Sequence, residues 1–174
     1  HLFDRWGYLA GKDEDRAADI NEMFANKSVN AIMAMHGGWG CARILSLLNY
    51  ETIKNNPKIF IGYSDITALL LGIYSQTGLV TFHGPVGSST WNAFTVDYFK
   101  NTLIDGNATR MSNPIRKGDA LVQMDDRIYT IHGGKASGKL IGGNLTVLSH
   151  ILGSMYVPDF KGAILFLEDV RGIL

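Results

Sequence analysis

Ile59-Phe60-Ile61-Gly62-Tyr63-Ser64-Asp65, continued by residues 66–74, is the part of the sequence that indicates the fold most clearly. An apolar, β-prone run gives way here to a helix-like segment, with a serine at the turn between them. A serine on a tight strand-to-helix turn exposes its hydroxyl at the carboxyl edge of a sheet, beside the amide donors of a helix N-terminus. The stretch therefore predicts a strand, a sharp turn and a helix, and Ser64 stands where a nucleophile would be presented.

The segments around this turn repeat the alternation of helix and strand. The patterns predict three helices, over residues 13–26, 42–48 and 66–76, and three strands, over residues 31–35, 58–61 and 79–82. Short connections of this kind are typical of an α/β fold with a parallel sheet. Because sites in such sheets gather at the carboxyl ends of the strands, we expect the chemistry at the loop after Met35, at Ser64 and at His83-Gly84-Pro85.

The second half of the chain has a looser pattern. It predicts a helix, two short strands, a helix and a buried strand, over Thr95–Ile104, Leu121–Met124, Arg127–Ile131, Leu145–Leu152 and Gly162–Leu167. We predict a parallel-sheet N-terminal nucleophile domain over residues 1–110, a linker over 111–138 and the start of a smaller C-terminal domain over 139–174. The chain opens without an initiator methionine and stops just after a strand-like segment. We therefore expect it to be truncated at both ends.

Composition excludes several classes of partner. The 174 residues carry 16 Lys and Arg against 16 Asp and Glu, so no basic surface argues for a nucleic acid or an anionic membrane. No apolar run approaches the roughly 20 residues of a membrane-spanning helix. Cys41 is the single cysteine, and no secretory signal precedes it. The prediction is a cytoplasmic protein.

Each candidate site residue also has a simpler interpretation. Ser64 is a nucleophile or an ordinary helix N-cap, and the N-cap is the stronger alternative from these residues alone. The loop Gly37-Gly38-Trp39-Gly40 brings backbone amides to a reacting carbonyl, or is only a tight turn. Trp39 is expected at the surface or at the rim of a site. Glu168 ends an apolar run and is either a carboxylate that orients a histidine or a solvated acid.

Three further patterns predict no chemistry. Residues 133–140 approach a phosphate-binding loop, but Leu140 stands where Mg²⁺ needs a hydroxyl, so we reject nucleotide binding there. Cys41 begins a helix, where a thiolate is one alternative and a small buried residue is the favoured one. The five histidines lack the spacing of metal ligands, so we predict no metal and no cofactor.

Five ordered blocks together resemble one family. They are Gly37-Gly38-Trp39-Gly40, Ile61-Gly62-Tyr63-Ser64-Asp65-Ile66-Thr67, His83-Gly84-Pro85, Ile141-Gly142-Gly143-Asn144-Leu145 and Leu165-Phe166-Leu167-Glu168-Asp169-Val170. In this order they are similar to the LD-carboxypeptidase family of serine peptidases, which also contains the microcin C self-immunity peptidases. The resemblance runs from about Phe3 to Val170.

The resemblance implies a Ser-Glu-His triad, with Ser64 as nucleophile and Glu168 as the acid. It implies an oxyanion hole formed by the backbone N–H groups of Asp65 and Gly38, with Gly37 and Trp39 beside the substrate. The family's histidine lies downstream of the glutamate, beyond the end of this sequence, so the role passes to none of the five histidines. His36 also stands where many relatives have arginine.

The resemblance further implies the reaction. Such an enzyme releases the terminal D-alanine of a murein tetrapeptide, without a cofactor, and family members are often homodimers. Two alternatives stay open: a peptidase of the microcin C immunity type, and a non-catalytic homologue that binds muropeptides. The isolated segment is expected to hydrolyse little or nothing.

Overall fold

The computed structural model describes residues 1–114 and 128–170. Three parallel strands, β1 (Ala31–Met33), β2 (Ile59–Gly62) and β3 (Phe82–His83), form a sheet in the order β1-β2-β3. The register pairs Ile32 with Phe60 and Gly62 with His83, so all three strands end at one edge of the sheet. The α/β fold with a parallel sheet is confirmed. The third strand was predicted over 79–82 and is shorter, beginning at Phe82.

Helices precede and connect these strands. α1 spans Asp13–Ala25, α2 spans Tyr50–Asn55 and α3 spans Thr67–Thr77. The helix expected over 42–48 is a 3₁₀ helix over Cys41–Leu47. It ends because Leu48 is extended, and α2 then starts where the Asn49 side chain accepts a hydrogen bond from Thr52 N–H.

The core surrounds α3. Every residue from Thr67 to Ile73 is buried, so the helix is apolar on all sides and packs against both β strands and helices. The side chains that are almost fully buried lie in α1, α2, α3, the 3₁₀ helix and the segment after β3, and they are Phe24, Ile44, Leu45, Ile53, Thr67, Ile73 and Val86.

A second parallel pair also packs against α3. β4 (Lys139–Asn144) pairs with β5 (Ala163–Glu168), and α5 (Leu145–Ile151) connects them. Asn144 is buried; its N–H donates to Thr67 Oγ1 at 2.9 Å, and its side chain accepts from Val147 N–H at the start of α5. Lys139 begins a strand, which agrees with the rejection of a phosphate loop over residues 133–140.

The strand expected to be buried over 162–167 is partly exposed. Leu165 and Leu167 in β5 are 53% and 43% exposed. Within the described residues β5 pairs only with β4, which leaves one edge and much of one face uncovered. The expectation of a fully buried strand was wrong for that reason.

The chain separates into two compact units. One combines His1–Ser89 with Gly138–Leu174, and the other is Thr90–Ser137. In the second unit α4 (Ala93–Phe99), capped by the Asn92 side chain, continues as a π-helical turn over Lys100–Ile104 and confirms the predicted helix. This division by contacts differs from the predicted domains at 1–110, 111–138 and 139–174, which stay a prediction.

Two predicted strands fall in the same unit. The one at Leu121–Met124 lies outside the described residues, and so does Arg127. Residues 128–131 form no strand, so the rest of the second prediction was wrong. Across the two described stretches, no helix is long and apolar enough to cross a membrane.

Candidate active site

The backbone at Ser64 is strained. Ser64 has φ = +61°, and no other non-glycine residue in the described part of the chain has positive φ. This conformation costs about 1–3 kcal/mol and persists only where the surrounding structure enforces it. The N-cap alternative is wrong: the short 3₁₀ helix Ser64–Ile66 is preceded by Tyr63, and neither it nor α3 has a side-chain cap. Ser64 therefore caps neither helix.

The glycine loop packs directly against this serine. A Cβ added at Gly37 would lie 3.1 Å from Ser64 Cβ and 3.3 Å from Ser64 Oγ. Only glycine leaves the serine side chain its present position without a shift of neighbouring atoms. Gly38 and Gly40 have φ of +132° and +143°, a region that side chains rarely adopt. The loop residues are glycines because of this close approach and this backbone path.

Asp65 ties the nucleophile turn to the glycine loop. Its side chain is buried, and one carboxylate oxygen accepts from Cys41 N–H at 2.9 Å. Arg16 fixes the same end of the loop, since its guanidinium donates to the Gly40 carbonyl at 3.1 Å and to Asp13 at 2.7 Å. These hydrogen bonds join the loop to the turn.

The two amides expected to form the oxyanion hole lie on these two segments. Gly38 is in the loop and Asp65 directly follows Ser64, at the start of a helix. Within the described ranges neither backbone N–H donates a hydrogen bond to the protein. Free donors near a nucleophile are what stabilisation of an oxyanion requires.

Cys41 is not the reactive group. The thiol is buried, and burial, followed by the neighbouring Asp65 carboxylate, raises its pKa well above the usual value. It stays protonated at neutral pH. The favoured interpretation of a small buried residue is confirmed, and the thiolate alternative is wrong.

Glu168 lies at the carboxyl end of β5, where a histidine from β3 faces it. The distance from His83 Nε2 to Glu168 Oε1 is 3.9 Å. His83 Nδ1 and Glu168 Oε1 are both buried and, among the described residues, without a hydrogen-bond partner. Burial lowers the pKa of His83, and the attraction of Glu168 opposes that shift only in part. His83 is therefore neutral at neutral pH.

Aromatic rings connect this pair to the nucleophile turn. The His83 ring makes edge contacts with Phe166, at 5.0 Å between centroids, and with Tyr63, at 6.4 Å. Tyr63 directly precedes Ser64. The structure thus brings Glu168 to the sheet edge that carries Ser64.

The remaining predicted residue, Trp39, is 51% exposed, which agrees with a position at the surface or rim. Its ring makes an edge contact with His150 at 5.0 Å. His36, just before the glycine pair, lies 3.1 Å from Ser88 Oγ through Nδ1. No group of three acidic, histidine or cysteine side chains in the described ranges could hold a metal ion.

Sequence reasoning did not single out His83 as a partner of Glu168. The sequence did place His83 at the carboxyl end of a predicted strand, where site residues are expected. No spacing in the sequence joins residue 83 to residue 168, so the contact depends on how β3 and β5 come together.

Two sequence patterns of one known family match the chain. The LD-carboxypeptidase N-terminal domain matches residues 1–84, and the LD-carboxypeptidase C-terminal domain matches residues 137–172. A probable murein peptide carboxypeptidase of Bacillus subtilis is 38% identical over 97% of this chain and 51% of its own length.

Solved structures of proteins with related names are also similar to this chain. A muramoyltetrapeptide carboxypeptidase from Oxalobacter formigenes superposes with a TM-score of 0.77 at 28% identity, over 99% of this chain and 55% of that one. The microcin C7 self-immunity protein MccF, in complex with aspartyl sulfamoyl adenosine, superposes with a TM-score of 0.76 at 33% identity, over 98% and 58%. The chain spans about half the length of the relatives it matches. With both domain patterns of one family present in order, the chain belongs to the LD-carboxypeptidase family.

Proposed function

We propose that the protein containing this chain is a serine LD-carboxypeptidase that releases the terminal D-alanine from a murein tetrapeptide. The observation that carries the proposal is the strained Ser64, with φ = +61° and its side chain against Gly37. Local strain of this size is kept at sites where geometry matters more than stability. The match to the LD-carboxypeptidase domains supplies the reaction class.

The residues take the following roles. Ser64 Oγ attacks the carbonyl carbon of the scissile amide and gives its proton to a histidine that lies outside this chain. The N–H groups of Gly38 and Asp65 stabilise the oxyanion, and Glu168 orients the histidine. The C–N bond then breaks, D-alanine leaves with the proton, and water hydrolyses the acyl-serine. No step uses a cofactor.

The test is hydrolysis of a murein tetrapeptide by the full-length protein, with D-alanine measured by mass spectrometry. Ser64→Ala is expected to reduce kcat by about 10⁴-fold or more, as removal of a triad nucleophile does. Ser28→Ala is the matched control, because its exposed hydroxyl donates to Asn26 Oδ1 and has no other hydrogen bond among the described residues. Turnover that survives Ser64→Ala would contradict the proposal.

The isolated chain allows a second check. Without the histidine it is expected to hydrolyse the tetrapeptide little or not at all. If the full-length protein also binds the tetrapeptide without turnover, and a fluorophosphonate does not label Ser64, the protein is a non-catalytic binding homologue.

A second candidate function is cleavage of a peptidyl nucleotide, as in peptidases of the microcin C immunity type. The exposed ring of Trp39 favours it, since an adenine can stack there. The related MccF was solved with aspartyl sulfamoyl adenosine. The two functions separate when the full-length protein and its Trp39→Ala variant are assayed on both substrates. If Trp39→Ala loses turnover of the peptidyl nucleotide and keeps turnover of the tetrapeptide, the second function is favoured.

We also infer that the protein acts in the cytoplasm and forms a homodimer. Both rest on the family resemblance, and the single buried Cys41 agrees with a reducing compartment. Sedimentation of the full-length protein tests the oligomeric state, and a monomer at micromolar concentration would contradict it.

A further inference from the structure

We propose that His83 is a positioning residue for Glu168: its Nε2–H donates to the Glu168 carboxylate and holds that group at the edge of the sheet beside Ser64. The inference rests on the proposed function and adds to it a residue outside the triad. His83 acts through Glu168 and has no contact with the reacting atoms in this scheme.

The backbone on both sides of the pair is firmly held. His83 is the last residue of β3 and pairs with Gly62 of β2, and Gly84 N–H donates to the Gly62 carbonyl at 3.0 Å. Glu168 is the last residue of β5 and pairs with Asn144, which is itself bonded to Thr67. Strands of two different sheets therefore end against each other at these two side chains.

Glu168 has a carboxylate oxygen at this junction that lacks a donor, and His83 Nε2 lies nearest to it. Glu168 Oε1 and His83 Nδ1 are buried without a hydrogen-bond partner in the ranges that the structure describes, and the Nε2 to Oε1 distance is 3.9 Å. A buried polar atom without a partner destabilises the folded state. A shift of about 1 Å in either side chain brings the pair to hydrogen-bond distance.

The same geometry decides which ring nitrogen of His83 carries the proton. A neutral imidazole carries one proton, and the nitrogen that faces a carboxylate is the one that keeps it. Here that nitrogen is Nε2. The rings of Tyr63 and Phe166 contact the imidazole from two directions and limit its rotation. His83 is thus prepared to donate to Glu168 and to no other group in the described part of the chain.

The first experiment compares two substitutions in the full-length protein. His83→Phe keeps a ring between Tyr63 and Phe166 but has no donor, and it is expected to lower kcat about 10- to 100-fold, the effect of losing one hydrogen bond to a charged group, with KM nearly unchanged. His83→Gln keeps an N–H donor and is expected to retain most of the kcat. The control is His132→Gln, an exposed histidine of the other unit, with no effect. Equal losses in His83→Phe and His83→Gln, or a loss in KM alone, would overturn the inference.

The second experiment has no activity readout. In a chain labelled with ¹⁵N-histidine, long-range ¹H–¹⁵N spectra at pH 7.5 are expected to show His83 with its proton on Nε2. Glu168→Met, which has neither the charge nor the carboxylate oxygens, is expected to remove most of that tautomer preference and to lower the His83 pKa further, because the opposing attraction is lost. A proton on Nδ1, or a spectrum unchanged by Glu168→Met, would overturn the inference.

The two experiments separate the inference from the proposed function. If no tetrapeptide is hydrolysed, the proposed function fails and the NMR result alone decides on the pair. If hydrolysis depends on Ser64 but substitution of Glu168 leaves the His83 spectrum unchanged, the proposed function stands and the inference fails.

Discussion

The two sides of the candidate active site are built differently. On the nucleophile side, Ser64 follows β2 of a three-stranded sheet and is held by its neighbours in sequence and by the glycine loop. On the acid side, Glu168 ends β5 of a two-stranded pair and faces one residue from the other sheet. The proposed nucleophile is therefore held by local backbone geometry, whereas the proposed acid faces a residue that is distant in sequence.

The strands on the two sides also differ in how deeply their side chains are buried. Phe60 and Ile61 in β2 are 2% and 3% exposed, although Leu165 and Leu167 in β5 have similar apolar character and are about half exposed. Strand β2 has a neighbour on each side and α3 against its face. The apolar run of a strand does not by itself say how much of that strand is buried.

The largest loss of stability is expected when an isoleucine of β2 is replaced, and an isoleucine of β5 serves for comparison. Ile61→Ala in β2 is expected to lower the free energy of unfolding by about 2–5 kcal/mol, since it leaves a cavity in the core. Ile164→Ala in β5, where the side chain is 38% exposed, is expected to cost less than half as much. Urea unfolding of the full-length variants checks this. Equal losses would mean that β5 is as well covered as β2.

The next largest loss of stability is expected when the hydrogen bond between the turn and the glycine loop is removed. Asp65→Ala removes the acceptor of Cys41 N–H and leaves a buried donor unpaired, which is expected to lower the free energy of unfolding by about 1–3 kcal/mol. Asp65→Asn keeps an oxygen at that position and is expected to lose less than half of that. If the two variants lose the same, the carboxylate does not tie the two segments through this bond.

The close approach of the loop to the nucleophile has a smaller, chemical effect. Gly37→Ala puts a methyl group against Ser64 Cβ and Oγ, so the hydroxyl leaves its preferred rotamer. The rate at which a fluorophosphonate labels Ser64 in the full-length protein is expected to fall about tenfold. Gly133→Ala is the control, because an added Cβ there meets nothing within 4 Å. An unchanged labelling rate would contradict the proposed packing.

The smallest effect is a pH dependence on the acid side. Burial lowers the pKa of His83, so the folded state binds fewer protons than the unfolded state as the pH falls below about 6.5, the ordinary value for histidine. The contribution to stability is complete above that pH and is lost as the pH falls toward the folded pKa. Between pH 7.5 and 5.5 the wild type is expected to lose more stability than His83→Gln, measured by urea unfolding. The opposite order would mean that protonated His83 is stabilised by Glu168.

Much of the nucleophile side could be predicted because its signals are local. The apolar run before Gly62, the turn at Ser64 and the apolar helix that follows lie within 20 residues, and the structure has them in that order. The type of helix could not be predicted at residues 41–48, because over about two turns the apolar positions do not separate an α helix from a 3₁₀ helix, and only the extended Leu48 decides where the helix ends.

The residues alone predict the parallel α/β pattern, the position of Ser64 on a turn and the glycines that allow a close approach, because each depends on residues that are neighbours along the chain. Packing in three dimensions was needed to show that the N-cap interpretation of Ser64 fails, that β5 is half exposed, and that His83 faces Glu168. Those facts depend on distances between segments up to 85 residues apart, and such distances are set by how α3 and the two sheets pack together.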